Sequence, residues 1–271
     1  MPSVVTFEIV APHVARIMMD RPDARNAQND QLTYELNAAF DRAAHDDDVK
    51  VILLGGEGPH FSSGHDLRGK PSDTPRVHTW GRPAEGGIHA LHNREREIYL
   101  DMCRRWRDLP KPTIAMVQGK CIAGGLALAW VCDMIVASDD ASFVDPVTGW
   151  GVAGIEYFAH PYELGIRKAK ELLFTADWWS AEEAHRLGMV NHVVPRAELE
   201  SFSLSLAERI AQKPMMALRF VKQMVNVAQD NQGMRTSMET SFALHHLCHA
   251  QVSERQRVEA EAKSDNAGQA A

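Results

Sequence analysis

The 271-residue chain has few cysteines, four in all, and they are scattered at positions 103, 121, 132 and 248 with no C-x-x-C pair. That excludes a disulfide framework and a cysteine-knuckle metal site, and it fits reduced thiols in a cytoplasmic setting. No apolar run approaches the ~20 residues needed to cross a bilayer. The start, MPSVVTFEIV, lacks a basic stretch ahead of an apolar one, so it does not read as a secretory signal. Basic tracts are missing as well: the net charge is −7, which disfavours wholesale binding to nucleic acid. Three motifs are also absent: the Lys-Ser/Thr ending of a P-loop, the G-x-G-x-x-G of a dinucleotide site and the G-x-S-x-G of a nucleophile elbow. Ser62 and Ser63 beside His65 therefore do not suggest a serine hydrolase.

What is present is an ordinary apolar content of 45% and a repeated pattern of strand, glycine break and helix. Residues 4–19 alternate as a hairpin of two strands around Pro12-His13, and Asp30 is placed to cap a helix carrying Leu32, Leu36 and Phe40. Val49–Leu54 is an apolar strand ending in the glycine-rich FSSGHDL, residues 61–67. Thr113–Asp133 repeats the arrangement: a buried strand, the pair Gly124-Gly125, and an apolar LALAWVC that suits a buried helix. In each, glycine lets a ligand approach the backbone closely, and unpaired N–H groups point at whatever lies above the turn. The repetition predicts a layered α/β core. Residues 68–93, rich in Pro, Gly and His, predict a long loop that could cover a substrate, followed by a helix from about Arg94 to Leu109. From 197 onward the pattern is helical, with a third helix expected around 234–252 and a disordered tail over 257–271.

Four segments together resemble the crotonase (enoyl-CoA hydratase/isomerase) superfamily: DRPDARNA at 20–27, FSSGHDL, VQGKCIAGG…CD, and LLFTADWWSAEEAHRLGMVNHVVP at 172–195. They stand in the family's order and spacing over roughly residues 5–230. The resemblance implies a ββα spiral core over 1–196, a helical oligomerisation region over 197–256, and assembly as a trimer or a dimer of trimers. It implies an acyl-CoA thioester as substrate, no cofactor beyond the coenzyme A that the substrate carries, and an oxyanion hole made by the N–H groups of His65 and Gly124. The imidazole of His65 would be free to point away. Coenzyme A would run along Arg25, Ser63, Asp66 and Leu67, with Ala27, Ile122 and Val147 lining the acyl or pantetheine channel.

The departures matter as much. Where hydratases of the family carry their two glutamates, matching the motifs puts Ala127 and Val147. Ordinary hydration would lack its acid–base groups, so isomerisation, decarboxylation, thioester hydrolysis or C–C cleavage is expected instead, with a catalytically silent acyl-CoA-binding subunit as the alternative. Glu156, in the bulky VAGIEYFAH stretch that replaces a glycine turn, and Asp145, beside the vacated second position, are the carboxylates placed to take over. His160, Tyr157 and Tyr162 are weaker proton-transfer candidates. The tail helix puts His245 and His249 one turn apart on one face, with His246 and Cys248 between. This pattern reads as a packed or interfacial cluster rather than a metal site.

Overall fold

The computed structural model describes residues 2–68 and 87–269, with side chains followed to residue 260. Strands β1 (Val5–Ala11) and β2 (Val14–Met19) form the expected hairpin, paired antiparallel from Val5 opposite Met19, with one irregularity near Ala11. The helix α1 (Asp30–His45) follows, but its cap is Asn29, whose side chain accepts from the Leu32 N–H at 2.9 Å. Asp30 instead enters the first turn and pairs with Arg94. Next come β3 (Val51–Gly56), α2 (Ile88–Glu95), a widened π-helical turn over Arg96–Asp101, and α3 (Met102–Arg107). Helix thus begins at Ile88, within the stretch expected to be loop, while most of that stretch, 69–86, lies outside the described residues.

The chain then builds β4 (Thr113–Val117), β5 (Lys120–Ile122), α4 (Gly124–Trp130), β6 (Met134–Ser138) and β7 (Ser142–Val144). After these come α5 (His160–Leu164), α6 (Ile166–Thr175), β8 (Trp179–Ser180), α7 (Ala181–Leu187) and β9 (His192–Val194). Three helices close it: α8 (Leu199–Ala211), α9 (Met215–Asn231) and α10 (Met234–Gln269). The last runs on through the stretch from 257 that had been expected to lack order.

One sheet has the order β1-β2-β3-β4-β6-β9, parallel from β2 onward; a smaller one has the order β5-β7-β8. Every residue of β3 and β4 is buried, as befits parallel strands covered on both faces. Alternation sorts the side chains by face: Ile52, Leu54, Ala115 and Val117 enter the main core with α1, α3 and α4. Val51, Leu53, Ile114 and Met116 meet Leu199, Ala207 and Ala211 of α8 on the other side. The helix α8, first of the C-terminal helical region, forms one layer of the sheet's own packing.

The cysteine-aspartate pair that ends the second motif has a structural use. Asp133 accepts from the N–H of Thr113 at 2.8 Å and its hydroxyl at 3.0 Å, and lies 2.9 Å from Lys222 of α9. One carboxylate therefore fixes the start of β4 and ties α9 to the core.

Candidate active site

The site starts from two turns held back to back. Asn26, fully buried and at φ 52°, accepts from the Arg21 N–H and donates to the carbonyls of Glu57 and His60, each at 2.9 Å. That clamps the RPDARNA turn against the end of β3. Residues 25–28 then run alongside FSSGHDL: Ser63 N–H to Arg25 O, Gln28 N–H to Gly64 O, and Asp66 N–H to Gln28 O, at 2.8–2.9 Å. The salt bridge between Arg21 and Asp66, 3.0 Å, closes the pair. Ser62 next joins the small sheet, exchanging backbone bonds with Lys120 and Ile122.

This brings the glycines together. At Gly64, φ is 83° and a Cβ would stand 2.7 Å from the Ile122 carbonyl and 3.1 Å from the Gly124 nitrogen, so no larger residue fits. A Cβ on Gly124 would fall 2.5 Å from the His65 ring. Between β5 and α4, Ala123 holds φ 46° and ψ −113°, a strained conformation for a residue with a side chain. Its N–H is spent on the Val144 carbonyl at 2.9 Å, whereas the N–H groups of His65 and Gly124 have no hydrogen-bond partner among the described residues. Two free amides beside abutting turns are what an oxyanion hole requires.

The His65 imidazole does not point away, as had been allowed. It stacks on Tyr99 with ring centres 3.5 Å apart and planes 7° apart, and its Nδ1 is 3.6 Å from Glu156 Oε1. Burial lowers it to about 3, Arg94 and His245 push the same way, and Glu95 opposes, so the ring is neutral. Glu156 is buried to 2% exposure, and burial, reinforced by Glu95, raises it to about 8. His245, from α10, completes the group: its Nε2 lies 3.5 Å from Glu156 and its Nδ1 donates to the Gly154 carbonyl at 2.7 Å. Burial works against charge on His245, but Glu95, Glu156 and that carbonyl outweigh it and raise its affinity for a proton.

Asp145 occupies a separate buried niche. Its Oδ2 is 2.9 Å from His160 Nε2, and its Oδ1 accepts from the Val147 N–H at 3.4 Å. His160 itself is boxed in by Trp130 and Phe158. Ala127 and Val147 are both buried and apolar. Tyr157 is buried, and Tyr162 is engaged with Ser237 at 3.0 Å. Along the proposed coenzyme path, Arg25 has no ion-pair partner among the described residues and sits at φ 54°, Ser63 and Ile122 are half-buried, Ala27 is buried and Leu67 is exposed. The side chain of Asp66, by contrast, is committed to Arg21. A cleft of 680 Å³ beneath α9, lined by Asp133, Lys222 and Val225 among others, lies apart from these residues.

Sequence reasoning missed four members: Gln28, Glu95, Tyr99 and the role of His245. The Gln28 side-chain oxygen would be 3.2 Å from a Cβ on Gly124, and its nitrogen is buried without a partner among the described residues. Of these, only the His245–His249 spacing carried a local signal.

Comparisons with known proteins agree on a family. The profile of the enoyl-CoA hydratase/isomerase family matches residues 11–263. EchA13 of Mycobacterium tuberculosis, named as an enoyl-CoA hydratase, is 43% identical over 246 residues, 88% of this chain and 77% of that one. Among solved structures, proteins named as enoyl-CoA hydratases from Mycobacterium smegmatis and Mycobacterium thermoresistibile superpose with TM-scores of 0.84 and 0.85 at 46% and 43% identity. These cover 91% and 93% of this chain and 95% and 98% of theirs. An enoyl-CoA hydratase/isomerase from Xanthobacter autotrophicus Py2 follows at 0.81 and 34%, covering 92% of this chain and 88% of its own.

Proposed function

Because the chain belongs to the enoyl-CoA hydratase/isomerase family, we propose that it turns over an acyl-CoA thioester through an enolate held by the amides of His65 and Gly124, with Glu156 moving the proton. The observation that carries this reading is the position of Glu156: a buried carboxyl 3.6 Å from the ring of the residue whose own N–H forms half of the hole. The thioester oxygen accepts both hydrogen bonds, and each such donor is worth ~2.7–4 kcal/mol as negative charge develops there. Glu156 removes a proton from, or returns one to, the carbon next to the thioester. Neutral His65 cannot compete for that proton, and its stacking on Tyr99 keeps Glu156 and the hole in register.

Hydration asks for more. Water must be deprotonated on one side while carbon is protonated on the other, and Ala127 and Val147 offer neither service. The reaction proposed is therefore one that a single carboxyl can run through that enolate, such as isomerisation, decarboxylation or C–C cleavage; thioester hydrolysis, the other candidate, would use the same two amides for a tetrahedral oxyanion, with Glu156 activating the attacking water. A silent binding subunit is the less favoured reading, since a buried carboxyl lies against the ring of the residue whose N–H is assigned to the hole. Arg25, with Ser63 and Leu67 beside it, is proposed to meet the phosphates of coenzyme A. The test is a calorimetric titration with acetyl-CoA and acetoacetyl-CoA, paired with a crotonyl-CoA hydration assay. Binding is expected, with hydration orders of magnitude below a two-glutamate enzyme, as each acid–base group contributes ~10²–10⁴-fold. Failure to bind any CoA ester at millimolar concentration overturns the reading, and brisk hydration overturns the choice of reaction.

A further inference from the structure

The histidines of α10 gather around one buried carboxylate. Helix spacing sets His245 and His249 one turn apart, and α2 brings the end of its last turn, Glu95, against them. The three facing atoms, Glu95 Oε2, His245 Nε2 and His249 Nε2, all lie within 4.8 Å of one another. The separations are 3.6 Å from Glu95 to His245, 3.9 Å from Glu95 to His249, and 2.9 Å between the two imidazole nitrogens. A tetrahedral ion bound at ~2.0–2.1 Å holds its ligand atoms about 3.4 Å apart. The group needs shifts of about half an ångström to match.

Two further observations point to a ligand. Glu95 has a side chain 9% exposed, and its Oε2 has no hydrogen-bond partner among the described residues, the nearest imidazole nitrogens standing 3.4 and 3.6 Å away, a costly state for a buried carboxylate oxygen. His245 gives its Nδ1 hydrogen to the Gly154 carbonyl, which leaves Nε2 as a lone pair facing the cluster, where it accepts from His249 Nε2. That backbone bond on the far nitrogen is the usual way an imidazole is oriented toward a metal.

We propose that Glu95, His245 and His249 bind one divalent transition-metal ion of the zinc class. Two imidazoles among three donors disfavour magnesium and calcium, which take oxygen ligands. Three protein donors leave a fourth tetrahedral position, and Glu156, 3.5 Å from His245 Nε2, borders the same cluster. The ion would thus sit at the edge of the acyl pocket, while the site's existence does not depend on the acyl-CoA reading. His246 Nε2, 3.4 Å from the same Glu95 oxygen, is the nearest further donor.

The experiment treats the full-length protein with a chelator, removes the chelator, and titrates Zn²⁺ by calorimetry, with Co²⁺ absorption as a report on geometry. The expected result is one Zn²⁺ per chain and the intense visible bands of four-coordinate Co²⁺. His249→Ala, at the half-exposed end of the group, and Glu95→Gln, which keeps shape, should each weaken Zn²⁺ at least about 100-fold, the upper range for losing even a supporting partner of a ligand. Circular dichroism checks that each variant is folded. Absence of stoichiometric Zn²⁺ binding in the wild type overturns the proposal, as does binding that survives both substitutions unchanged. Neither readout involves a CoA ester, so failure here leaves the proposed reaction standing on its own test.

Discussion

Glu156 and Asp145 are both buried to 2% exposure, yet their surroundings assign them different work. Glu156 faces two imidazoles in the pocket, whereas Asp145 is held against His160 in a niche closed by aromatic rings. Glu156→Gln keeps the shape and removes the ionisable group, so turnover of the true substrate should fall ~10²-fold or more with folding intact. Asp145→Asn should cost much less in kcat. Steady-state rates of the two variants decide it, and the reverse ranking would transfer the role to Asp145. Ala123 offers a second prediction at this scale. Its positive φ costs a residue with a Cβ of order 1–3 kcal/mol, partly offset by the greater unfolded-state freedom of glycine. Ala123→Gly should stabilise the protein by about 1 kcal/mol in a denaturant titration without disturbing the turn.

At the scale of elements, the two motif turns were legible in the sequence because each is written in consecutive residues: FSSGHDL and AGG need only local glycines to declare themselves. The strands β3 and β4 were legible for the same reason, as unbroken apolar runs. Glu95, Tyr99 and His245 were not, because α2 with the turn after it and α10 reach the pocket from stretches more than a hundred residues apart in the chain. Nothing local distinguishes Glu95 from a solvated helix residue. Only the packing of α10 over α2 converts it into a buried partner of histidines; burial alone would raise its pKa, but the interaction with His245 foremost holds it below the ordinary carboxylate range. The join between the two turns is itself titratable. Burial opposes charge on Asp66, but the hydrogen bond from Arg21 and the Arg68 N–H prevail and lower its pKa. A depressed folded-state pKa adds stability above the unfolded value and loses it as pH falls through the folded one. Asp66→Asn should therefore be destabilised by a constant amount from neutral pH down to about 3.8, the ordinary aspartate value. Below that the gap from wild type should close. A gap that widens on acidification would mean that Arg21 is not its partner.

For the whole molecule, the layered core followed from the repeated strand–glycine–helix pattern, while the spiral came from resemblance and could not be derived from composition. The outer surface of α9 leaves Met216, Phe220 and Met224 exposed at i, i+4 spacing, while Val221 and Val225 line the cleft beneath it. Single exposed apolar residues are ordinary, but a stripe of this length on one helix fits an assembly surface. We propose a homotrimer or a dimer of trimers. Light scattering at micromolar concentration should report three or six chains, and Phe220→Asp together with Met224→Asp should lower that mass; a stable wild-type monomer would count against it. No described helix is long and apolar enough to cross a membrane.

The parallel stacking of His65 on Tyr99 also makes the pocket observable from within. A proton held over the face of an aromatic ring is magnetically shielded, so the carbon-bound protons of His65 should resonate well upfield of those of a free imidazole. They belong to the residue whose amide is assigned to the thioester oxygen, and any shift of that turn on ligand arrival changes their height above the Tyr99 ring. Nuclear magnetic resonance of selectively labelled histidine should show one displaced signal that moves on titration with a CoA ester and loses its shielding in Tyr99→Leu. An unshifted His65 signal in the free protein would mean that the stack does not persist in solution.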